Sequence, residues 1–130
     1  SLGYPNISYR CEDIFDTLFE KLEYDIALCT LTLHHFKNDE IIELMSIFNK
    51  KARIGIVIND LHRSKMAYYL FKAVCFVFQL KSMPQKDGLV SILRGFKKEE
   101  LIDFSKKLNF KKYKIQWKWA FRYQWIISKV

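Results

Sequence analysis

The sequence predicts an α/β fold in which buried parallel strands alternate with helices and an antiparallel hairpin ends the chain. Three observations support this prediction. Residues 25–31 are apolar almost throughout, as in a strand that is covered on both faces. A helical stripe and a second apolar run at 53–59 follow with short connections, which is the pattern of a right-handed parallel crossover. Over residues 112–119 of the C-terminal segment, apolar residues then alternate with polar and mostly basic ones.

Two short elements are predicted before the first buried strand. Residues 7–11 alternate and are rich in β-branched and aromatic side chains, which predicts a strand that ends at Glu12 and Asp13. Residues 14–22 show helical spacing of apolar side chains and predict a short helix. The apolar positions of that helix are Phe15, Leu18, Phe19 and Leu22.

The clearest helix is predicted between the two buried strands. Asn38 offers an N-cap, and Asp39 and Glu40 place negative charge in the first turn. The pair Lys50-Lys51 supplies the basic end. Its apolar stripe has the spacing i, i+3, i+4, i+7 and consists of Ile41, Leu44, Met45 and Phe48.

The segment after the second buried strand is predicted to be a buried helix. Within 65–81 the polar residues Lys65, Lys72 and Gln79 recur every seven positions, which leaves one narrow solvated stripe. This helix is either part of the core or a lid over a pocket for a lipophilic or aromatic molecule. Its apolar run is shorter than the roughly 20 residues that span a bilayer.

The remaining chain is predicted to form a loop, a helix and a hairpin. Pro84 and Asp87-Gly88 indicate the loop, and residues 97–108 have helical periodicity. A tight link around Ala120 then joins two strands. The first strand has one apolar face with Tyr113, Ile115, Trp117 and Trp119, and one polar face with Lys112, Lys114, Gln116 and Lys118.

Composition limits the compartment and the partners. The chain has 22 Lys and Arg against 14 Asp and Glu, and its net charge of +8 attracts polyanions or an anionic membrane surface. Cys11, Cys29 and Cys75 are odd in number, lack C-x-x-C spacing and lie in apolar runs. They are therefore predicted to be reduced core thiols in a cytoplasmic protein, with no disulfide framework and no metal site.

Polar residues follow three of the predicted strands, and they carry a resemblance to a known family. Four segments carry the resemblance, three at strand ends and one, Tyr24-Asp25-Ile26, at the start of a strand; the others are Glu12-Asp13-Ile14, Leu33-His34-His35-Phe36 and the run from Val57 to Ser64. In this order the chain resembles a class I S-adenosylmethionine-dependent methyltransferase from its third strand onward. The resemblance implies one partial domain over residues 1–130, with a Rossmann-like sheet that is incomplete at its N-terminal half and has a C-terminal antiparallel hairpin.

The resemblance assigns roles to residues at the strand ends. Asp13 and Ile14 would contact the adenine of the cofactor, and Thr30 and Leu31 its methionine part. The candidate catalytic residues are His34, His35 and His62, since histidine can take a proton from a phenol, thiol or amine near neutral pH. The alternatives stay open: Asp13 as a loop or cap residue, and His34 and His35 as capping or core histidines. His62 and Arg63 either bind an anionic or phenolic group or join a helix cap with Asp60 and Ser64.

Two departures from the family matter. The glycines stand alone at positions 3, 55, 88 and 95, so there is no G-x-G loop for the cofactor, and no acidic residue closes a preceding strand to hold the ribose. We therefore expect this chain to bind S-adenosylmethionine weakly and to be inactive alone. The 25–31 strand is then an exposed apolar edge, open to homodimerisation or strand exchange.

The function predicted for the intact protein is methyl transfer to a small apolar or aromatic acceptor, with oxygen as the preferred atom. An RNA-directed methyltransferase is one alternative, because the lysines of the hairpin could follow a phosphate backbone. It is less favoured, since the strand ends in Cys29-Thr30-Leu31 instead of the N-P-P-Y or D-P-P-Y of enzymes that methylate base amino groups. A non-enzymatic α/β association module is the other alternative.

Overall fold

The computed structural model describes residues 5–11, 13–15 and 22–130. Four strands and four α-helices follow one another in this part of the chain. They are β1 (Tyr24–Thr30), a short 3₁₀ helix (Leu33–His35), α1 (Asn38–Lys51), β2 (Ala52–Leu61), α2 (Lys65–Val77), α3 (Ser82–Leu93), α4 (Lys98–Lys107), β3 (Tyr113–Lys118) and β4 (Arg122–Ser128). None of the described helices is long and apolar enough to cross a membrane.

The strands form one mixed sheet in the order β1-β2-β4-β3. β1 and β2 are parallel and are joined by α1, while β4 lies antiparallel between β2 and β3. This arrangement confirms the predicted crossover and C-terminal hairpin. The hairpin turns at Ala120 and Phe121, whose φ angles of 67° and 54° both lie in the left-handed region.

One face of the sheet contains the core. Residues paired directly across strands point to the same side, so Ile56 and Ile58 of β2 share a face with Ile127 and Trp125 of β4. The apolar stripes of α1 and α4 join this cluster. Trp125 is fully buried, and its indole N–H donates to the Ser105 hydroxyl at 3.0 Å.

The ends of α1 and α4 follow from local contacts. At the start of α1, Glu40 accepts the backbone N–H of Lys37 at 3.0 Å, so Lys37 occupies the cap position and Asn38 is already helical. At the end of α4, Asn109 has a φ of 57° and the N–H of Phe110 donates to the carbonyl of Ser105 at 2.9 Å. This is the Schellman pattern that satisfies the last carbonyls of a helix.

Two predictions about the N-terminal region have different outcomes. The strand predicted at 7–13 is wrong, because residues 7–11 are exposed and belong to no strand. A strand needs a neighbouring backbone, and in the described residues β1 pairs only with β2. Glu12 and most of the helix predicted at 14–22 lie outside the described residues.

Three further predictions are corrected by the structure. Cys11 is exposed, so only Cys29 and Cys75 are buried thiols, although all three cysteines are free. The predicted loop at Pro84 and Gly88 is instead part of α3. Pro84 is tolerated there because it occupies the first helical turn, where its missing N–H would have had no partner.

The segment after β2 is a helix, as predicted, but the prediction that this helix is buried is wrong. In α2, only Ala67 and Cys75 are buried, because α3 covers one of its sides and α3 itself has no buried residue. The two helices approach closely at Gly88, where a Cβ atom would collide with the ring of Phe71. Together α2 and α3 form a helical hairpin with a largely exposed apolar surface.

Candidate functional site

The carboxyl ends of β1 and β2 lie side by side because the two strands are parallel neighbours. Their pairing extends to Thr30 and Asn59, and the N–H of Leu31 donates to the carbonyl of Asn59 at 2.8 Å. Residues 30–35 and 59–62 therefore converge on one rim of the sheet, as the sequence predicts. Ligands of open α/β sheets bind outside this type of rim.

A buried hydrogen-bonded contact joins the two strand ends. Asp60 is almost fully buried and accepts three N–H groups: the ring Nδ1 of His34 at 2.7 Å, the backbone N–H of Leu61 at 2.8 Å and that of His34 at 3.3 Å. Because a carboxylate only accepts hydrogen bonds, the Nδ1 atom of His34 carries a proton. Asp60 thus holds the 3₁₀ helix after β1 against the end of β2.

The two adjacent histidines differ in their access to solvent. His34 is only 6% exposed, whereas the neighbouring His35 is exposed. Their ring centroids are 4.1 Å apart, so the buried imidazole supports the exposed one. Of these two adjacent histidines, the geometry leaves His35 open to an incoming molecule and ties His34 to the sheet.

The backbone between β1 and the histidines is tightly constrained. Leu31 has a φ of 52°, a conformation that costs a residue with a side chain about 1 kcal/mol. The hydroxyl of Thr32 donates to the carbonyl of Thr30 at 2.9 Å. Burial raises the pKa of the Cys29 thiol, and a hydrogen bond with Thr32 partly offsets this increase. Backbone strain such as that at Leu31 is concentrated at active sites and ligand-binding sites.

A cavity of about 560 Å³ runs along the edge of β1 that pairs with no other strand in the described residues. Ile14, Thr30 and Thr32 contribute to its wall, so two of the four candidate cofactor residues meet there. Asp13 is exposed, and its carboxylate accepts the N–H of Phe15 at 2.9 Å, the contact of a local turn. Leu31 is exposed outside this wall.

One polar atom at this rim fits a cofactor or substrate group. The buried side-chain oxygen of Asn59 has no hydrogen-bond partner among the described residues. Asn59 pairs across the sheet with Thr30, which is part of the cavity wall. A buried acceptor of this type is normally satisfied, so a donor from outside the described residues fits here.

A second cavity of about 480 Å³ lies between α2, α3 and the turn that joins β3 to β4. Its wall is apolar except at His62 and Ser91. This size and lining match a site for a small molecule with one or two polar groups. The apolar members of the wall are Leu61, Ala67, Leu70, Phe71, Val74, Ile92, Ala120 and Phe121.

The protonation of His62 follows from its neighbours. The indole N–H of Trp117 donates to Nδ1 of His62 at 3.2 Å, so Nδ1 is an acceptor and a neutral ring carries its proton on Nε2. The ring packs against Tyr123 with centroids 4.7 Å apart. Burial first, and the charge of Lys97 second, hold the pKa of His62 below its ordinary value of 6.5, while Glu99 acts in the opposite direction.

This shift leads to a prediction about stability and pH. From about pH 7.5 to about pH 5, we expect the free energy of unfolding to fall more steeply in the native protein than in His62→Gln. The unfolded chain gains a proton at His62 below 6.5 that the folded chain does not bind. The contribution of His62 to stability is therefore fully present above pH 6.5, and it is lost as the pH falls toward the pKa of His62 in the folded chain.

Urea titrations at several pH values would measure this difference. Glutamine can still accept from Trp117, so the variant retains the hydrogen bond. The matched control is His35→Gln, the same substitution at an exposed histidine. Parallel curves for the native protein and His62→Gln would refute the assignment.

The remaining residues after β2 have structural contacts. The hydroxyl of Ser64 accepts the N–H of Ala67 at 3.5 Å, so Ser64 is the N-cap of α2. Arg63 pairs with Glu100 at 2.6 Å. Of the two interpretations of residues 60–64, the cap therefore applies to Ser64, while Asp60 and His62 have separate contacts.

Sequence reasoning missed the importance of Asp60 and Trp117. A carboxylate in an otherwise apolar strand was a signal for Asp60, because a buried charge requires a partner. No local pattern identified Trp117 as the partner of His62, since the two residues are 55 positions apart. Among the described residues, no cluster of three or more potential metal ligands occurs.

Comparisons with known proteins give a structural relationship only. No model of a known protein family and no curated protein sequence matches the chain. The chain is similar to the crystal structure of magnesium protoporphyrin IX methyltransferase (ChlM) from Synechocystis PCC 6803 with bound SAH, with a TM-score of 0.50 and 12% sequence identity. The match covers 85% of this chain and 48% of that protein.

A similarity at this level of identity shows the fold. The chain has an incomplete Rossmann-like α/β fold of the kind found in S-adenosylmethionine-dependent methyltransferases. It spans about half the length of the matched protein.

Proposed function

We propose that this chain is the acceptor-binding part of an S-adenosylmethionine-dependent methyltransferase that methylates a small apolar or aromatic molecule, preferably on oxygen. The observation that carries the proposal is the apolar cavity of about 480 Å³ at the carboxyl end of β2, with His62 in its wall. A cytoplasmic setting is part of the proposal, because all three cysteines are free thiols.

The cavity supports a small apolar acceptor. Nine of the eleven residues in its wall are apolar or glycine, so its contribution to binding is mainly the burial of apolar surface. His62 offers one N–H donor through Nε2, which suits a carbonyl, phenol or phenolate oxygen. Since Trp117 already donates to the other ring nitrogen, His62 binds and orients an oxygen and does not remove its proton.

His35 is the better candidate for the base. It is exposed at the same rim and rests on His34, which Asp60 holds in place. S-adenosylmethionine, when bound, supplies an electrophilic methyl group. In the proposed reaction the acceptor oxygen loses its proton as it gains the methyl group, and the proton passes to His35. In this scheme, His34 and Asp60 are positioning residues.

Part of the cofactor site is supported as well. Ile14 and Thr30 line the cavity at the edge of β1, and Asn59 supplies a buried acceptor next to it. Asp13 and Leu31 lie at the exposed ends of the same segments. The sequence of this chain contains no G-x-G turn, so we expect these residues to bind the cofactor tightly only when another part of the protein completes the site.

The test is isothermal titration of S-adenosylmethionine and S-adenosylhomocysteine into this chain and into a version extended upstream along its reading frame. Tight binding is expected only with the extended version. In that version, Asp13→Ala should weaken binding at least tenfold through the loss of a hydrogen bond to a charged group. The matched control is Asp39→Ala, an exposed acid in the first turn of α1.

The opposite result would favour a second candidate, the association module. Ile26 and Leu28 on the edge strand β1 are exposed, and Leu28 retains 71% of its surface. If neither version binds the cofactor and light scattering shows a dimer, pairing through this edge becomes the better description. Methyl transfer would then be rejected.

A further inference from the structure

The end of the α2–α3 hairpin is an exposed apolar surface, which we call the hairpin tip. It consists of Phe76, Val77, Phe78, Leu80 and Met83. Every residue from 76 to 84 is exposed, and Phe76 retains 86% of its surface. Single exposed apolar residues are common on proteins, whereas a contiguous group of this kind indicates an interaction surface.

The backbone holds the hairpin tip in one conformation. Gln79 has a φ of 50°, and its N–H donates to the carbonyl of Phe76 at 3.3 Å. The N–H of Leu80 donates to the carbonyl of Cys75 at 3.0 Å. These two bonds form a Schellman motif, so the apolar side chains are presented on a preformed turn. A preformed surface loses less conformational entropy on binding.

The surroundings of the tip are positively charged. Lys81 and Lys86 are exposed at the start of α3, and the ammonium group of Lys72 lies 5.2 Å from the ring centroid of Tyr68. The single acidic residue in 65–94 is Asp87. The basic residues of this segment are Lys65, Lys72, Lys81, Lys86 and Arg94. An apolar insertion flanked by cations is the combination that gives reversible attachment to anionic bilayers.

A lipid surface suits this element better than a second copy of the chain. Nine consecutive exposed residues make the tip a projection, and a projection fits a deformable headgroup layer. In a dimer formed at the tip, two segments that each contain five basic residues and one acidic residue would face each other. Each segment has a net charge of +4 and each whole chain a net charge of +8, so the two copies would repel each other. An anionic bilayer converts that repulsion into attraction.

We propose that the hairpin tip inserts into the headgroup region of an anionic membrane, with Lys81 and Lys86 contacting acidic lipids. The attachment is interfacial, since α2 has 13 residues and ends at the tip. It involves the outer end of the hairpin, whereas the cavity with His62 lies between the helices. The inference is therefore independent of methyl transfer.

Vesicle flotation tests the proposal without cofactor or acceptor. The chain is mixed with phosphatidylcholine vesicles that contain or lack phosphatidylglycerol, and binding is expected only in its presence. The double variant Phe76→Ser/Phe78→Ser should weaken binding at least tenfold. Both residues are exposed, so thermal unfolding should be unchanged. The matched control is Trp119→Ser, which removes an exposed aromatic residue from the β3–β4 turn.

The contribution of charge has its own control. Lys81→Gln/Lys86→Gln should weaken binding several-fold, whereas Lys111→Gln/Lys114→Gln, at exposed lysines elsewhere, should change it by less than twofold. Failure to float with either vesicle would overturn the proposal. Vesicle binding by Phe76→Ser/Phe78→Ser as tight as that of the native chain would also overturn it. So would a native chain that does not bind vesicles but forms a dimer that is lost in this double variant.

Discussion

Replacement of Asp60 by alanine is expected to lower the free energy of unfolding by about 3 kcal/mol, because it removes a buried acceptor of three hydrogen bonds. Without the carboxylate, the ring N–H of His34 and two backbone N–H groups lose their acceptor. Each unsatisfied buried donor adds a desolvation cost. The segment between β1 and α1 would also lose its attachment to β2.

Equilibrium unfolding in urea measures this effect directly. The matched control is Asp25→Ala, because Asp25 forms an ion pair, at 2.7 Å with Arg53, on the surface. Exposed pairs contribute little, so the control should change stability by less than about 1 kcal/mol. Equal losses in the two variants would show that the contact between Asp60 and His34 does not stabilise the rim.

Replacement of Gly55 by alanine is expected to destabilise the protein by about 2 kcal/mol or more, the cost of overpacking a close contact. Gly→Ala usually stabilises a protein slightly, because it restricts the unfolded chain. At Gly55 the sign reverses, since a Cβ atom would lie inside van der Waals distance of the carbonyl oxygen of Ile127. That oxygen belongs to β4 and can move only if the sheet moves.

Gly88→Ala is the matched control for this substitution. Its Cβ would meet the ring of Phe71, a side chain that can rotate away, and alanine favours the helical conformation by about 1 kcal/mol. We therefore expect a smaller loss, with the displaced ring narrowing the cavity between α2 and α3. If Gly55→Ala were as stable as the native protein, the strands β2 and β4 would be further apart than described.

The α2–α3 hairpin connects the two proposals. Its inner side lines the cavity with His62, and its outer end is the hairpin tip. With the tip attached to a membrane, an apolar acceptor dissolved in that membrane would reach the cavity over a short distance. The two proposals still fail separately, because vesicle binding is measured without cofactor and cofactor binding without vesicles.

The geometry of the candidate catalytic and cofactor residues was only partly predictable. Strand ends place His35, Thr30 and His62 on one rim, and the parallel crossover makes that convergence visible in the sequence. The difference between His34 and His35 was not visible. It depends on Asp60, 26 residues away from His34, and on which of two adjacent rings turns toward it.

Periodicity by itself determined the elements whose pattern is local: β1, α1, β2, the helical conformation of α2, α4 and the C-terminal hairpin. Tertiary structure alone decided the rest. An apolar helix looks the same in sequence whether or not another layer covers it, so the exposure of α2 could not be deduced. Residues 7–11 have the composition of a strand, but a strand exists only where a neighbouring backbone is available to pair with it.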